Sequence, residues 1–174
     1  MKNYTITIDT GTTNTRVFLF NEKNEVAASA KSEIGVRITA IDGNNNRLKT
    51  AIRGCLEEVL KQAGITYDEV KKVVASGMIT SNVGLVEIPH VIAPASAEDL
   101  AEAAKSVLIE DVCPLPILFI PGVKNRDGKL DLATFESMDM MRGEEVETVA
   151  VVESLPKGQA YLLVLPGSHT KFVS

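Results

Sequence analysis

Apolar and polar residues alternate through residues 4–9, where Thr and Ile dominate, and this period of two predicts a β-strand. The small, hydroxyl-rich stretch Asp9-Thr10-Gly11-Thr12-Thr13-Asn14 interrupts the pattern, and a second strand follows over 16–20. A polar turn at 21–25 leads to a third strand over 26–32. Short links between consecutive strands predict an antiparallel meander, one edge of a larger mixed sheet. The period then changes. Beyond Gly35 and the polar residues 42–46, Leu48, Ile52, Leu56, Val59 and Leu60 recur at helical spacing. Lys49, Arg53, Glu57 and Lys61 fall mostly outside that stripe, and Gly64 marks the stop.

Residues 70–77 read as a buried strand that leaves on Ser76-Gly77. Ser96, with Glu98 and Asp99 just after it, predicts the cap of another helix. Its apolar stripe of Leu100, Ala103, Ala104, Val107 and Leu108 carries that helix through residue 108. A short strand into a turn is expected over 115–122, a helix over 144–153 and a strand over 160–165. Phe172 and Val173 then begin what reads as a further strand. Lys157-Gly158 has the character of a domain boundary. The expectation is one α/β domain over 1–156 and the broken-off start of a second over 157–174, since a piece that small cannot bury a core.

Composition adjusts this only at the margins. With 45% hydrophobic and 24% charged residues in 174, the chain is globular rather than disordered. Eighteen basic against 23 acidic residues give a net charge of -5, which argues against a general nucleic-acid partner. The first residues lack the apolar core of a leader, and the apolar stretch 112–123 is broken by three prolines. No membrane partner is expected, and a soluble cytoplasmic protein is the default. Cys55 and Cys113 read as buried free thiols rather than a disulfide framework. His90 and His169 stand apart, without zinc-site spacing.

Four stretches carry candidate chemistry. In the first, Asp9 stands at a strand end before Gly11, Thr12, Thr13 and Asn14. Glycine lets the backbone approach a ligand, successive small residues aim N–H and hydroxyl donors at phosphate oxygens, and the carboxylate can hold Mg²⁺ directly or through water. The ordinary alternative is a hairpin turn. The stretch Gly167-Ser168-His169-Thr170-Lys171 repeats the same architecture near the other end, so the two loops could form jaws around a nucleotide triphosphate. Lys171 would suit a transferring phosphoryl group or a carboxylated substrate. A third cluster gathers Asp139, Arg142, Glu144 and Glu145 around Gly143. It offers a base for a hydroxyl and a cation for an anionic substrate, or merely acids placed favourably at a helix start. The fourth, 76–90, is rich in glycine and polar residues and reads as a substrate-wall loop.

Taken in order, "IDTGTTNTRVFL", "SGMITSNVGLVEIPH", "MRGEE" and "LPGSHTKFV" resemble the 2-dehydro-3-deoxygalactonokinase family of the sugar kinase, Hsp70 and actin superfamily. The resemblance implies a ribonuclease-H-like α/β fold and, in longer members, two such domains closing on a cleft. It implies ATP-dependent, Mg²⁺-assisted phosphorylation of the 6-hydroxyl of 2-dehydro-3-deoxy-D-galactonate. By the same resemblance Asp9, Gly11, Thr12, Thr13 and Asn14 match the first phosphate loop. Gly167, Ser168, His169, Thr170 and Lys171 match the second. Glu144 takes the place of the general base, with Glu145 and Asp139 in reserve, Arg142 faces the anionic substrate, and Ser76, Gly77, Met78 and Glu87 fall in the sugar-side wall. The partners implied are a small sugar acid and a missing C-terminal domain of the same chain, with a homo-oligomer left open. The segment alone is expected to be inactive. A rival reading is an actin-like or Hsp70-like ATP-dependent interaction or assembly module.

Overall fold

The computed structural model describes residues 3–126, 138–167 and 170–174. The opening meander forms as expected: β1 (Tyr4–Thr10), β2 (Thr15–Phe20) and β3 (Val26–Ser32) pair antiparallel. They make one edge of a six-stranded sheet. Beside β1 lie β4 (Val70–Gly77), then β7 (Cys113–Phe119) and β6 (Lys105–Ile109), giving the order β3-β2-β1-β4-β7-β6. The pairings β1–β4 and β4–β7 are parallel, while β7–β6 is antiparallel. This mixed α/β arrangement agrees with the ribonuclease-H-like fold that the resemblance implied.

Alternation explains the sheet's inner face. Ile6, Ile8, Val17, Leu19, Val73, Ala75, Ile117 and Phe119 are all buried. The helix α2 (Asn46–Ala63) packs across β2 and β3 through Leu48, Ile52, Leu56 and Val59, and ends on Gly64 in the left-handed conformation. A six-residue helix, α1 (Arg37–Asp42), precedes it; too short to show a periodic stripe, it had no sequence signal. Cys55 and Cys113 are both free and buried, as expected.

The helix predicted through residue 108 is cut short. The cap is as read: Ser96 Oγ accepts the Asp99 N–H at 3.2 Å, and the Asp99 carboxylate accepts the Ser96 N–H at 2.7 Å. Yet α3 (Ala97–Ala103) stops at once, and residues 105–109 form β6. Val107 and Ile109 pack on the core while Leu108 faces outward, a period of two. Pairing with β7 gives that strand's backbone a partner, and this outweighs a stripe that local spacing alone would make helical.

A small sheet joins β5 (Val91–Ile92), β8 (Val123–Lys124) and β9 (Met140–Met141). After it α4 (Glu144–Ser154) forms where predicted. The strands β10 (Leu163–Leu165) and β11 (Lys171–Val173) pair with each other as an antiparallel hairpin. Among the described residues, no helix is long and apolar enough to cross a membrane.

Candidate active site

Three chain segments converge where β1 ends. In the parallel register Asp9 stands opposite Ser76, and Thr10 opposite Gly77. Gly77 has φ +87°, and a Cβ there would lie 2.7 Å from the Thr10 carbonyl oxygen and 3.0 Å from Asp9 Oδ1. Only glycine satisfies both the dihedral and the approach. On the other side, Gly143 enters α4 at φ +111°, and a Cβ on it would come within 3.4 Å of the Gly77 Cα. Two residues far apart in sequence therefore bring the strand-end acid and the helix-start acids into one neighbourhood.

The first loop is pinned from beneath and open above. Thr10 and Thr15 are buried, their hydroxyls 3.3 Å apart, and Thr15 Oγ1 donates to the Ile34 carbonyl at 2.8 Å. The Gly11 and Thr12 carbonyls accept the Val36 and Arg37 N–H groups at 3.1 and 2.9 Å. Thr12 and Thr13 remain exposed, and Asn14 Nδ2 donates to Thr13 Oγ1 at 2.9 Å. An open hollow of about 220 Å³ beside them is lined by Gly35, Arg37 and Arg47 as well. Asp9 is half exposed and forms an ion pair with Arg16 of β2 at 3.2 Å. Among the described residues, no three His, Cys, Asp or Glu side chains gather as a metal cluster.

The acid pair divides into unlike members. Glu144 Oε2 accepts the Arg142 backbone N–H at 3.1 Å, and the residue is partly exposed. Glu145 is 2% exposed, and both its carboxylate oxygens lie 2.8 Å from the Gly143 nitrogen. Burial pushes the Glu145 carboxyl up to about 7, against the opposing pull of the backbone N–H groups.

Arg142 reaches back into the 78–90 segment, the stretch read from sequence as a substrate-wall loop, part of which is packed into the core. Ile79, Thr80, Ser81 and Ile88 are buried, and Met78 packs on the core. The Arg142 Nη1 donates to Thr80 Oγ1 at 2.7 Å and Nη2 to the Ile88 carbonyl at 2.9 Å. Nη2 also lies 3.3 Å from His90 Nδ1. Burial and the neighbouring Arg142 charge hold the His90 imidazole down at about 4, so it is neutral near pH 7. Sequence reasoning singled out Arg142 but missed Thr80, Ile88 and His90, its acceptors. Their separations of 62, 54 and 52 residues leave no local signal.

Of the remaining candidates, Ser76 and Gly77 line the convergence, whereas Glu87 is exposed. The second loop is described only at Gly167, Thr170 and Lys171; Ser168 and His169 lie outside the described residues. Lys171 Nζ pairs with Asp139 Oδ1. Together with Lys124 and Asn125 they line a cavity of about 230 Å³.

Comparison with known proteins gives a consistent result. The family model for 2-keto-3-deoxy-galactonokinase matches residues 9–174. The chain is similar to the 2-dehydro-3-deoxygalactonokinase of Escherichia coli K12, at 30% identity over 97% of this chain and 48% of that protein. It is also similar to a Rhizobium meliloti strain 1021 protein described as a probable 2-dehydro-3-deoxygalactonokinase, at 27% identity over 98% of this chain and 49% of that one. A crystal structure of a Sinorhizobium meliloti protein, described by the same activity, superposes with a TM-score of 0.73. At 24% identity over 97% of this chain and 48% of that chain, it speaks for the fold alone. The chain spans about half the length of the curated relatives it matches.

Proposed function

We propose a function from one premise: this chain belongs to the 2-keto-3-deoxy-galactonokinase family. The whole protein acts as a sugar-acid kinase, passing the γ-phosphoryl group of ATP to the 6-hydroxyl of 2-dehydro-3-deoxy-D-galactonate. Residues 1–156 supply one wall of its cleft, and 157–174 open the second domain. The observation that carries this reading is the convergence of Asp9, Gly77 and the Gly143-Glu144 helix start. It brings the half-exposed Asp9 carboxylate toward the helix start that carries Glu144, with the exposed Thr12 and Thr13 in the loop that follows Asp9. A metal-holding acid and a base are what in-line transfer to an alcohol uses.

In this mechanism Glu144 accepts the proton of the attacking alcohol. It is the less buried of the pair, and Oε1 takes no hydrogen bond among the described residues. Thr12 and Thr13, with the Gly11 turn, cradle phosphate oxygens, and the second loop of Gly167, Ser168, His169, Thr170 and Lys171 shares that role, as the family resemblance implies. Ser76, Gly77, Met78 and Glu87 face the sugar. Asp9 suits Mg²⁺, which commonly takes only one or two carboxylates and completes its shell with water and phosphate oxygens. Its carboxylate is half exposed, and the bare Cα of Gly77 leaves room beside Oδ1. A Mg²⁺ ion held there would offset phosphate charge during transfer.

The test is a panel of sugar acids with ATP, run on the whole protein and on Glu144→Gln. Removing a general base lowers kcat by about 10²–10⁴-fold. Near-normal turnover in Glu144→Gln would sink the assignment of the base, and no turnover of any sugar acid by the wild type would sink the function.

A further inference from the structure

The sequence presents Arg142 as a cation for the substrate, but the geometry spends its guanidinium elsewhere. Both terminal nitrogens already donate, to Thr80 Oγ1 at 2.7 Å and to the Ile88 carbonyl at 2.9 Å. Both of those residues are buried, at 0% and 2% exposure. Thr80 Oγ1 in turn donates to the Gly77 carbonyl at 3.0 Å. Gly77 is the residue whose Cα lies against Gly143 and whose missing side chain leaves room for Asp9. At its other end, the Arg142 backbone N–H is the donor to Glu144. These links close a ring from Gly77 through Thr80 and the Arg142 side chain to the Arg142-Gly143 backbone, and back to Gly77.

We propose that Arg142 is a positioning residue, clamping the 78–90 segment, through its buried Thr80 and Ile88, to the start of α4 so that Glu144 and Asp9 keep a fixed separation. Arginine suits this task because its planar fork satisfies several neutral acceptors at once, whereas lysine has one nitrogen to offer. A cation committed to three protein acceptors has little freedom to follow a substrate carboxylate. Its value lies in geometry. A misplacement of about 1 Å between reacting groups can cost on the order of 10²-fold in rate.

The kinetic part of the test rests on the sugar-kinase reading, and the exchange part does not. In the whole protein, Arg142→Met should lower kcat by roughly 10–100-fold while the KM for the sugar acid stays within about threefold. Thr80→Val, which keeps the shape and removes the hydroxyl, should lower kcat in the same direction by roughly 3–10-fold. Thr80→Ser, which keeps the hydroxyl, should stay within about twofold of wild type. The double variant should be little worse than Arg142→Met, because both changes break one ring. A large rise in KM at unchanged kcat would place Arg142 on the substrate and overturn the proposal, as would additive losses. Independently, hydrogen exchange on this chain should quicken in both Arg142→Met and Thr80→Val. It should do so at the amides of Ser81, Leu85 and Ile88, which bond within the segment, while α2 keeps its protection. Unchanged exchange there, or equal loosening of α2, would overturn the clamp. A wild type that phosphorylates no sugar acid would remove the function, and the exchange comparison would then decide the clamp alone.

Discussion

Glu145 is an acid in a place that disfavours its charge. It is 2% exposed, and burial raises its carboxyl from 4.5 to about 7. The sign of the linkage follows. Below about pH 4.5 the group is protonated in both the folded and the unfolded chain, and its contribution is fully present. As pH rises, the unfolded carboxyl ionises first, and the contribution is lost progressively up to the folded value near 7. A gap of that size is worth roughly 3 kcal/mol. The midpoint of urea unfolding should therefore fall between pH 4.5 and 7.5, and Glu145→Gln should flatten the fall. Equal slopes in the two proteins would mean that Glu145 titrates normally. The sequence made both acids of the pair visible, since each follows Gly143 at a helix start. It could not tell them apart, because which one turns inward is decided by the tertiary surroundings of the helix start, where Gly143 meets Gly77, rather than by spacing. The ion pair between Asp9 and Arg16, by contrast, is half exposed on both sides and contributes little to stability.

At the scale of elements, the site depends on how closely β1, β4 and α4 approach one another. Gly77 is the point of contact for all three. Gly77→Ala would force a Cβ to within 2.7 Å of the Thr10 carbonyl at a left-handed φ, so a loss of about 2 kcal/mol or more is expected. The first loop should shift with it. Gly64→Ala, also at positive φ but with nothing within 4 Å, should cost only the dihedral strain, about 1 kcal/mol. Thermal unfolding of the two variants separates crowding from strain, and equal losses would show that the close approach at Gly77 carries no weight. Legibility varied at this scale for a physical reason. The meander, α2, β4 and α4 each show their own period or cap, so local sequence announces them. The stripe Leu100, Ala103, Ala104, Val107 and Leu108 also has helical spacing, but its second half becomes β6 because β7 offers a backbone partner. The Arg142–Thr80–Ile88 contacts were equally hidden, since they join residues 62 and 54 positions apart that only the tertiary fold brings together. Asp9, Gly77 and Glu144 were legible because strand ends and helix starts next to glycine are local features.

Across the whole chain, the core and the chemistry occupy different places. The core lies between the sheet and α2, whereas the candidate groups stand at the strand ends and at the start of α4. Beyond Glu145, no residue of α4 is fully buried, and Val151, Val152, Leu162, Val164 and Phe172 are exposed. Phosphoryl transfer is catalysed chiefly by positioning and by electrostatic stabilisation, and both weaken when one side of the site is open to water. An acid at a strand end gains only about 1 kcal/mol from a charge 4 Å away in bulk solvent, and about four times that in a partly enclosed site. These 174 residues alone should therefore release ADP in response to a sugar acid at least about a thousandfold more slowly than the whole protein. Their affinity for ATP should be correspondingly weak. A coupled ADP-release assay comparing the two forms at equal concentration measures this directly. Turnover by the 174-residue chain matching that of the whole protein would place the complete catalytic cleft within this sheet and its loops. Domain closure would then have no part in the mechanism.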